Sequence, residues 1–572
     1  MNGVVFVNDH PVTLEGESNL LDVIHKAGIN LHTLCYNKEL APFGACRMCI
    51  VDVNGNLIPA CTTKPTEGMR IKTHSNKVNK VRRMALELIL SNHPAECQTC
   101  DKSGNCRLQE AANALGVHTI RFEKPEKSDK IDSYGPSFVR NEDKCILCGN
   151  CVRICNEIQG VNAISYAGRG SNSKIACAFD HPMGESTCVN CGQCLAVCPT
   201  GALTPLYQVH EVINAVNDEN KLVVFQIAPA VRAAITEHYK LENPDIAMKK
   251  ANNALKMIGV DYVFDTSWAA DLTTIEEATE FLGRVEKGER LPLFTSCCPA
   301  WVKFAEEFYP EFLDNLSTCK SPQQMFSSYM KKYLGDYVDL QGKEIYVVSV
   351  MPCTAKKYEA ARAEFIHDGV PETDVVITSQ EFILLMDRYG IHLDQLTPID
   401  LDAPFGEKSG AAVLFGVSGG VTEAVLRLAT NRGATFTSVR GTRALKEVDL
   451  AFKGTNLRIA VVNGLSEVRK VLDKLKSGEV EYDIVEVMSC RGGCIGGGGQ
   501  PIPNEMLERE LRKETIYTAD SIENLKNPAD NPAVEEIYKT HLGEPNSHAA
   551  HELLHTAYKQ RNKVTGQYEE IR

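Results

Sequence analysis

Two runs share one spacing: Cys145-Ile146-Leu147-Cys148-Gly149-Asn150-Cys151-Val152-Arg153-Ile154-Cys155 and Cys188-Val189-Asn190-Cys191-Gly192-Gln193-Cys194-Leu195-Ala196-Val197-Cys198. Thiolates this close together bind soft metals or pair as disulfides. The spacing, C-x2-C-x2-C-x3-C, is that of bacterial two-cluster ferredoxins, in which the fourth cysteine of each run binds the other cluster. The expected ligand sets for two 4Fe–4S clusters are Cys145, Cys148, Cys151 with Cys198, and Cys188, Cys191, Cys194 with Cys155. Pro199 follows the second run as the pattern asks, while Asn156 replaces the proline after the first. Thirty-two residues separate the runs, so an inserted loop is expected near 168–174. Cys177 falls in that insert and reads as a spare thiol.

Outward from these runs, sixteen of the 22 cysteines lie in the first 198 residues, and the rest are Cys297, Cys298, Cys319, Cys353, Cys490 and Cys494. A disulfide framework suits a short secreted chain. This chain has 572 residues and opens Met1-Asn2-Gly3-Val4-Val5-Phe6-Val7, with neither a basic n-region nor an apolar h-region. Metal clusters in a reducing, cytoplasmic compartment are therefore expected. Length suggests about three to five domains, and 43% hydrophobic residues can supply each with a core. No apolar run approaches the roughly 18 residues of a membrane span. A formal charge of −13 argues against nucleic acid. Lys77, Lys80, Arg82 and Arg83 make one basic group at the start of a predicted helix. A solvated helix face is the plainer reading, and a docking patch for an acidic electron carrier the sharper one.

Residues 1–75 alternate as strands do (Val4, Phe6; Val12, Leu14) and supply Cys35, Cys46, Cys49 and Cys61 at spacings of ten, two and eleven residues. Gly44 in Gly44-Ala45-Cys46-Arg47-Met48-Cys49 lets a backbone approach a cluster. Four thiolates around one loop suit a 2Fe–2S centre, and a tetrahedral zinc site has the same ligand count. An apolar-periodic helix through Val81, Met84, Leu86, Leu88 and Leu90 is expected to end before Pro94. Beyond it come His93, Cys97, Cys100 and Cys106. Three cysteines do not complete a cubane, and His93 is the candidate fourth ligand, although a lone histidine is commonly a surface or capping residue.

After Pro205 the pattern changes. A helix over Val209–Val216 precedes buried-strand runs at 222–227, 291–295, 345–350 and 484–487, alternating with amphipathic helices. These runs are followed at once by Ala228-Pro229, Cys297-Cys298, Cys353 and Cys490. Ligands of α/β sheets gather beyond the carboxyl ends of strands. Any one buried cysteine is most often inert. Thiols at three strand ends, with Cys494 nearby, point as a set to one metal site.

Residues 30–110 resemble the 2Fe–2S and His-Cys-Cys-Cys 4Fe–4S region of the large iron–sulfur subunit of complex I, a likeness that makes His93 a ligand. Three further motifs, Thr295-Ser296-Cys297-Cys298-Pro299, Met351-Pro352-Cys353-Thr354-Ala355-Lys356-Lys357 and the run 487–500 containing Cys490-Arg491-Gly492-Gly493-Cys494, closely resemble the signatures of iron-only (FeFe) hydrogenases. The likeness runs from residue 1 to about 560 and is to the modular clostridial form. It implies an H-cluster, a 4Fe–4S cubane joined to a two-iron centre with carbon monoxide, cyanide and azadithiolate. Accessory centres would be one 2Fe–2S and three 4Fe–4S.

By position, the resemblance assigns Cys298, Cys353, Cys490 and Cys494 to the cubane, with Cys494 the bridge to the two irons. Cys297 becomes the first proton donor and acceptor, and Lys356 holds a cyanide with help from Gln323 and the backbone after Pro229. Met351 and Met488 pack the pocket. Ala230 stands where the family usually has serine, removing a side-chain hydrogen bond. The family's proton path matches Cys297, Glu277, Ser317, Glu280 and Arg284, although residues 273–280 read by themselves as a solvated acidic helix face. Residues 516–560, with N-P-A-V-E-E-I-Y at 531–538 and H-A-A-H-E-L-L-H at 548–555, which holds His548, His551 and His555, resemble the family's helical small subunit. The histidines there read as helix-surface residues, and the last dozen residues as a mobile tail.

The expected architecture is a two-lobed α/β catalytic domain whose strands end at the H-cluster, preceded by α+β ferredoxin-like iron–sulfur domains. The expected units are 1–78 (2Fe–2S), 79–125 (4Fe–4S held by one histidine and three cysteines), 126–208 (two 4Fe–4S), 209–515 (H-cluster) and 516–572 (small-subunit-like). The implied reaction is 2 H⁺ + 2 e⁻ ⇌ H₂, with electrons passing to ferredoxin or to flavin- and NAD(P)-binding subunits of a complex. Maturation proteins for the two-iron centre are implied partners; nucleic acid and membrane are not. Gly416-Val417-Ser418-Gly419-Gly420 lacks the G-x-G-x-x-G spacing, so dinucleotide chemistry would belong to a partner. The alternative is a hydrogenase-like protein without a two-iron centre, acting in cluster assembly or hydrogen sensing. Cys319 has no expected role.

Overall fold

The computed structural model describes residues 3–123, 130–430, 436–452 and 455–561. The tail expected from charge lies outside the described residues beyond 561, but Arg561 itself is buried against Glu306 at 2.6 Å.

The first unit is a five-stranded sheet in the order His10–Thr13, Val4–Val7, Arg70–Lys72, Ile50–Val53, Asn56–Pro59. Helix Leu20–Lys26 covers it, started by Asn19, whose side chain accepts from the Asp22 amide. Val5 and Val7 face the core, not Val4 and Phe6. Val4–Val7 is apolar at both parities, so alternation could not choose its buried face. Helix Asn76–Ser91 follows. It does not present the four basic residues as one patch. Arg82 is buried and donates to the Ile50 carbonyl, while Arg83 donates to the carbonyls of Leu115 and Gly116.

The next unit carries helices Asn150–Arg153 and Gln193–Ala196 beside a three-stranded sheet ordered Leu203–Pro205, Phe138–Asn141, Ile131–Asp132. The expected insert is a hairpin of Ser165–Ala167 and Lys174–Ala176, closed by the residues between.

Two four-stranded sheets form the two lobes of the unit that follows. One is wholly parallel, ordered Tyr262–Asp265, Lys221–Ile227, Glu344–Met351, Val375–Thr378. The other is ordered Leu293–Phe294, Ile484–Met488, Thr455–Asn463, Leu445–Phe452, with only the last pair antiparallel. Two of the four expected runs thus sit at the centre of the first sheet, and the other two pair in the second. Their carboxyl ends face each other across one hollow. The C-terminal segment wraps this body through helices Met506–Ile522, Pro532–Ile537 and His548–Leu554. Among the described residues, no helix is long and apolar enough to cross a membrane.

Candidate active site and cluster sites

The hollow between the sheets is lined by Cys297, Cys298, Cys353, Cys490 and Cys494, with Pro229, Ala230, Gln323, Met351, Lys356 and Met488. Local sequence explains the convergence. Three helices facing the hollow start with proline in the first turn: Pro229–His238, Pro299–Phe308 and Pro322–Tyr333. Proline there loses no hydrogen bond and lets a helix start abruptly after an extended segment. Cys298 is itself the N-cap of the second of these helices. Cys353 precedes Thr354, the N-cap of Ala355–Ala360. Gly493, before Cys494, has φ 90°, and a Cβ on it would lie 2.5 Å from the Ser418 amide nitrogen, so only glycine fits.

Burial dominates the electrostatics. It pushes the Cys353 thiol up to about 12 and raises those of Cys298, Cys490 and Cys494. Four such thiols stay protonated unless a metal compensates their charge. Lys356 is the compensating cation within the wall: it lowers the thiols of Cys298, Cys353 and Cys494. Its ammonium donates to the Cys297 carbonyl at 3.1 Å and to Glu359 Oε2 at 2.8 Å. Burial alone would lower its pKa, but Glu359 reverses this and the group is held charged. Glu359 also accepts from Ser321 at 2.8 Å and Gln323 at 3.1 Å. The sequence reading missed this carboxylate, although its place three residues after Lys356 on one helix was the available signal.

The Cys297 thiol is raised well above its ordinary value, by burial and then by Glu277. Glu277 is 2% exposed and Glu276 wholly buried, so the solvated acidic face expected from 273–280 is corrected. That helix is covered by Pro322–Tyr333 and the C-terminal segment, which no local pattern reveals. Burial and the neighbouring Glu280 push Glu277 up to about 8, against a hydrogen bond with Ser317 that lowers it. The Ser317 hydroxyl donates to Glu280 Oε2 at 3.2 Å, and Arg284 Nη2 donates to Glu280 Oε1 at 2.6 Å. Hydrogen bonds thus link Glu277, Ser317, Glu280 and Arg284, and Glu277 reaches the Cys297 thiol through its charge, with no hydrogen bond between those two side chains among the described residues.

Cys319 lies beside it, its Sγ 3.9 Å from Glu280 Oε2. His555 is buried too, bonded to Thr318 Oγ1 at 2.8 Å and Glu276 Oε2 at 3.1 Å. The expectation of helix-surface histidines holds for His548 and His551, which are exposed, and fails for His555.

The remaining thiols gather in separate groups. Cys145, Cys148, Cys151 and Cys198 line one hollow; Cys155, Cys188, Cys191 and Cys194 line another; His93, Cys97, Cys100 and Cys106 line a third. Near the N-terminus, Cys35 and Cys46 are 3.3 Å apart, and Cys49 is hydrogen-bonded to Cys61. The Cys35 contact favours the Cys46 thiolate and holds that thiol below its ordinary value. Gly44 has φ 67°, and a Cβ there would meet Thr62 Cγ2 at 3.0 Å. Cys177 is buried beside Ser186.

Comparison with known proteins agrees with this geometry. Residues 221–498 match the iron only hydrogenase large subunit, C-terminal domain, and residues 506–561 the iron hydrogenase small subunit. The chain is 41% identical to the NADP-reducing hydrogenase subunit HndD of Solidesulfovibrio fructosivorans, over 97% of this chain and 99% of that protein. It belongs to the iron-only hydrogenase family. Iron hydrogenase 1 of Clostridium pasteurianum is 34% identical over 98% of this chain and 99% of its own length. A variant of the apo [FeFe]-hydrogenase HydA1 from Chlamydomonas reinhardtii superposes with a TM-score of 0.55 at 36% identity, covering 63% of this chain and all of that one. The hydrogenase body carries accessory regions: residues 4–76 match a 2Fe–2S iron–sulfur cluster binding domain, 82–121 the NADH-ubiquinone oxidoreductase-G iron–sulfur binding region, and 144–202 a 4Fe–4S dicluster domain.

The hydrogenase's cofactors are thus an H-cluster with 2Fe–2S and 4Fe–4S centres, and the residues present fit them. Each four-donor group is all soft thiol or thiol plus imidazole, as iron–sulfur clusters require. The hollow between the sheets adds a fifth thiol, an apolar wall and one buried ammonium, which suits a group bearing anionic ligands.

Proposed function

We propose that this hydrogenase interconverts protons, electrons and dihydrogen at the hollow between the two sheets. The observation that carries the reading is the convergence of five cysteines and the Lys356 ammonium at the carboxyl ends of strands from both lobes. Cys298, Cys353, Cys490 and Cys494 would hold the cubane, and Cys494 would also help to hold the two-iron centre. When bound, that centre supplies the redox metal on which protons and electrons combine. Lys356, kept charged by Glu359, would bind a cyanide by a charge-assisted hydrogen bond, and Gln323 and the backbone after Pro229 would flank it. Pro229, Ala230, Met351 and Met488 keep water from the pocket.

Cys297 is the fifth thiol and, on this reading, binds no iron. It holds a transferable proton at the edge of the hollow. Glu277, protonated below about pH 8, would act as a relay: it gives its own proton to the Ser317 hydroxyl, which passes one on to Glu280, while its other oxygen takes the proton released by Cys297. The reverse order carries protons inward. Arg284 orients Glu280 from the outer side.

Electrons would enter through the accessory groups: a 2Fe–2S centre at Cys35, Cys46, Cys49 and Cys61; a 4Fe–4S centre at His93, Cys97, Cys100 and Cys106; and the two ferredoxin-type sets. The likeness to an NADP-reducing hydrogenase subunit, together with the NADH-ubiquinone oxidoreductase-G region, favours flavin- and NAD(P)-binding subunits as electron partners over free ferredoxin alone. The glycine run 416–420 is packed within the fold, where a Cβ on Gly420 would lie 1.6 Å from the Leu414 carbonyl oxygen. It serves tight packing, consistent with dinucleotide chemistry on a partner. Maturation proteins would deliver the two-iron centre.

The test is infrared spectroscopy of anaerobically matured protein. Bands of iron-bound carbon monoxide and cyanide are expected, and a matured protein without them would sink the reading in favour of a cluster-assembly or sensing role. Co-elution of flavin-bearing subunits from the native host tests the partner assignment.

A further inference from the structure

The loop carrying Cys188, Cys191 and Cys194 meets the glycine run after Cys494 backbone to backbone. A Cβ on Gly498 would lie 2.6 Å from the Gly192 Cα, and one on Gly192 would lie 2.3 Å from Thr354 Oγ1. Neither position has room for a side chain. Around this contact, side chains cross between the two units. Thr354 donates to the Asn190 carbonyl at 2.8 Å, Lys303 to the Cys188 carbonyl at 2.7 Å, and Gln159 to the Ser489 carbonyl at 3.0 Å.

Gln193 differs from these in reaching a sulfur. It is buried, and its backbone lies between Cys191 and Cys194. Its Nε2 donates to the Gly496 carbonyl at 2.9 Å and to Cys490 Sγ at 3.2 Å. The carbonyl fixes which way the amide points, because the reversed amide would set its oxygen against two acceptors. One N–H is thereby held on the thiolate sulfur.

We propose that Gln193 is a positioning residue for electron transfer, joining the ferredoxin loop by its backbone to the Cys490 thiolate of the cubane by its side chain. This rests on the reading above that Cys490 binds the cubane and that Cys191 and Cys194 bind the neighbouring cluster. In the step served, one electron leaves the ferredoxin-type centre, which is oxidised, and enters the cubane, which is reduced; no bond forms or breaks. An N–H···S bond stabilises the more negative, reduced form and so raises the cubane's potential. Gln193 thus makes the cubane a better electron acceptor from the centre beside it.

The experiment is a redox titration of the matured holoenzyme, followed by infrared and electron paramagnetic resonance, on wild type, Gln193→Met, Gln193→Glu and Gln159→Met. Gln193→Met removes the donor while keeping the side chain's length. The reduced-to-oxidised ratio of the cubane at fixed potential should fall about tenfold, equivalent to about 59 mV for one electron. Gln193→Glu, which replaces the donor by an acceptor, should lower it at least as far and stands in should the methionine variant not load its clusters. Gln159→Met removes a hydrogen bond across the same contact but none to sulfur, and its ratio should match wild type. Unchanged ratios in both Gln193 variants, or an equal fall in Gln159→Met, would overturn the proposal. Wild type lacking carbon monoxide and cyanide bands would instead overturn the hydrogenase reading, and this inference with it.

Discussion

His555 Nε2 and Glu276 Oε2 are 3.1 Å apart inside the protein, joining the C-terminal segment to the helix that carries Glu277 and Glu280. Tyr538 donates to the other oxygen of Glu276 at 2.5 Å, and the Asn546 amide donates to Oε2 at 2.8 Å. The segment matching the small subunit therefore supplies most of the partners of a wholly buried carboxylate. Replacing His555 by alanine leaves polar groups of Thr318 and Glu276 without that partner, a cost of about 2 kcal/mol. Limited proteolysis should then cut within 548–561 several-fold faster than in wild type, with a lower thermal midpoint. Identical cleavage in His555→Ala would show that this bond does not anchor the segment.

Glu277 links pH to both stability and turnover. Its pKa rises from 4.5 unfolded to about 8 folded, chiefly through burial. The folded state thus favours the proton. The favourable contribution is complete below pH 4.5 and is lost as pH rises through about 8, on the order of 5 kcal/mol in total. A glutamine at this position cannot ionise, so in urea titrations the Glu277→Gln protein should gain stability relative to wild type as the solution is taken from mildly acidic to above the folded pKa. Its turnover should fall at least about 100-fold, the scale of a lost proton-transfer group, with infrared bands intact. Near-normal turnover with an intact cluster would remove Glu277 from the path.

Cluster chemistry was legible in the chain because its signal is local: ligands two or three residues apart, such as Cys188, Cys191 and Cys194, announce themselves whatever surrounds them. The strands ending at Cys298, Cys353 and Cys490 were legible too, as short apolar runs closed by a cysteine. What stayed hidden depends on contacts distant in sequence. Val5 and Val7 face the core because of where Arg70–Lys72 and helix Leu20–Lys26 pack. Arg82 looked like a surface charge until Ile50 was seen beneath it. Glu276 and Glu277 have the composition of a wet helix face, and only the 538–555 segment and Pro322–Tyr333 make them dry. Gln193 has an ordinary place in its ferredoxin run, and its partner Cys490 lies 297 residues away.

Two adjacent cysteines should behave differently when replaced. Cys298 caps the helix Pro299–Phe308 and accepts from the Ser489 amide at 3.5 Å. Replacing it by alanine takes one of four thiolates from the cubane, and with the cubane goes the attachment of the two-iron centre, so purified matured protein should lose about six irons per chain relative to wild type. Cys297→Ala should keep full iron content and its infrared bands while losing turnover by at least about 100-fold. Equal iron loss in both variants would make Cys297 a ligand and leave the path without its first proton carrier.

His93 offers the sharpest contrast between ligand and bystander. It lines the same hollow as Cys97, Cys100 and Cys106, and sequence spacing alone left its role open. Imidazole is neutral as a ligand, so the centre it helps to hold carries one negative charge less than an all-thiolate centre and accepts an electron more readily. His93→Cys should therefore retain a 4Fe–4S signal but require a stronger reductant, its potential falling below that of wild type. His93→Ala should lose that signal, while the signals of the two ferredoxin-type centres persist. If His93→Ala kept the centre at an unchanged potential, the fourth ligand would have to come from elsewhere around that hollow.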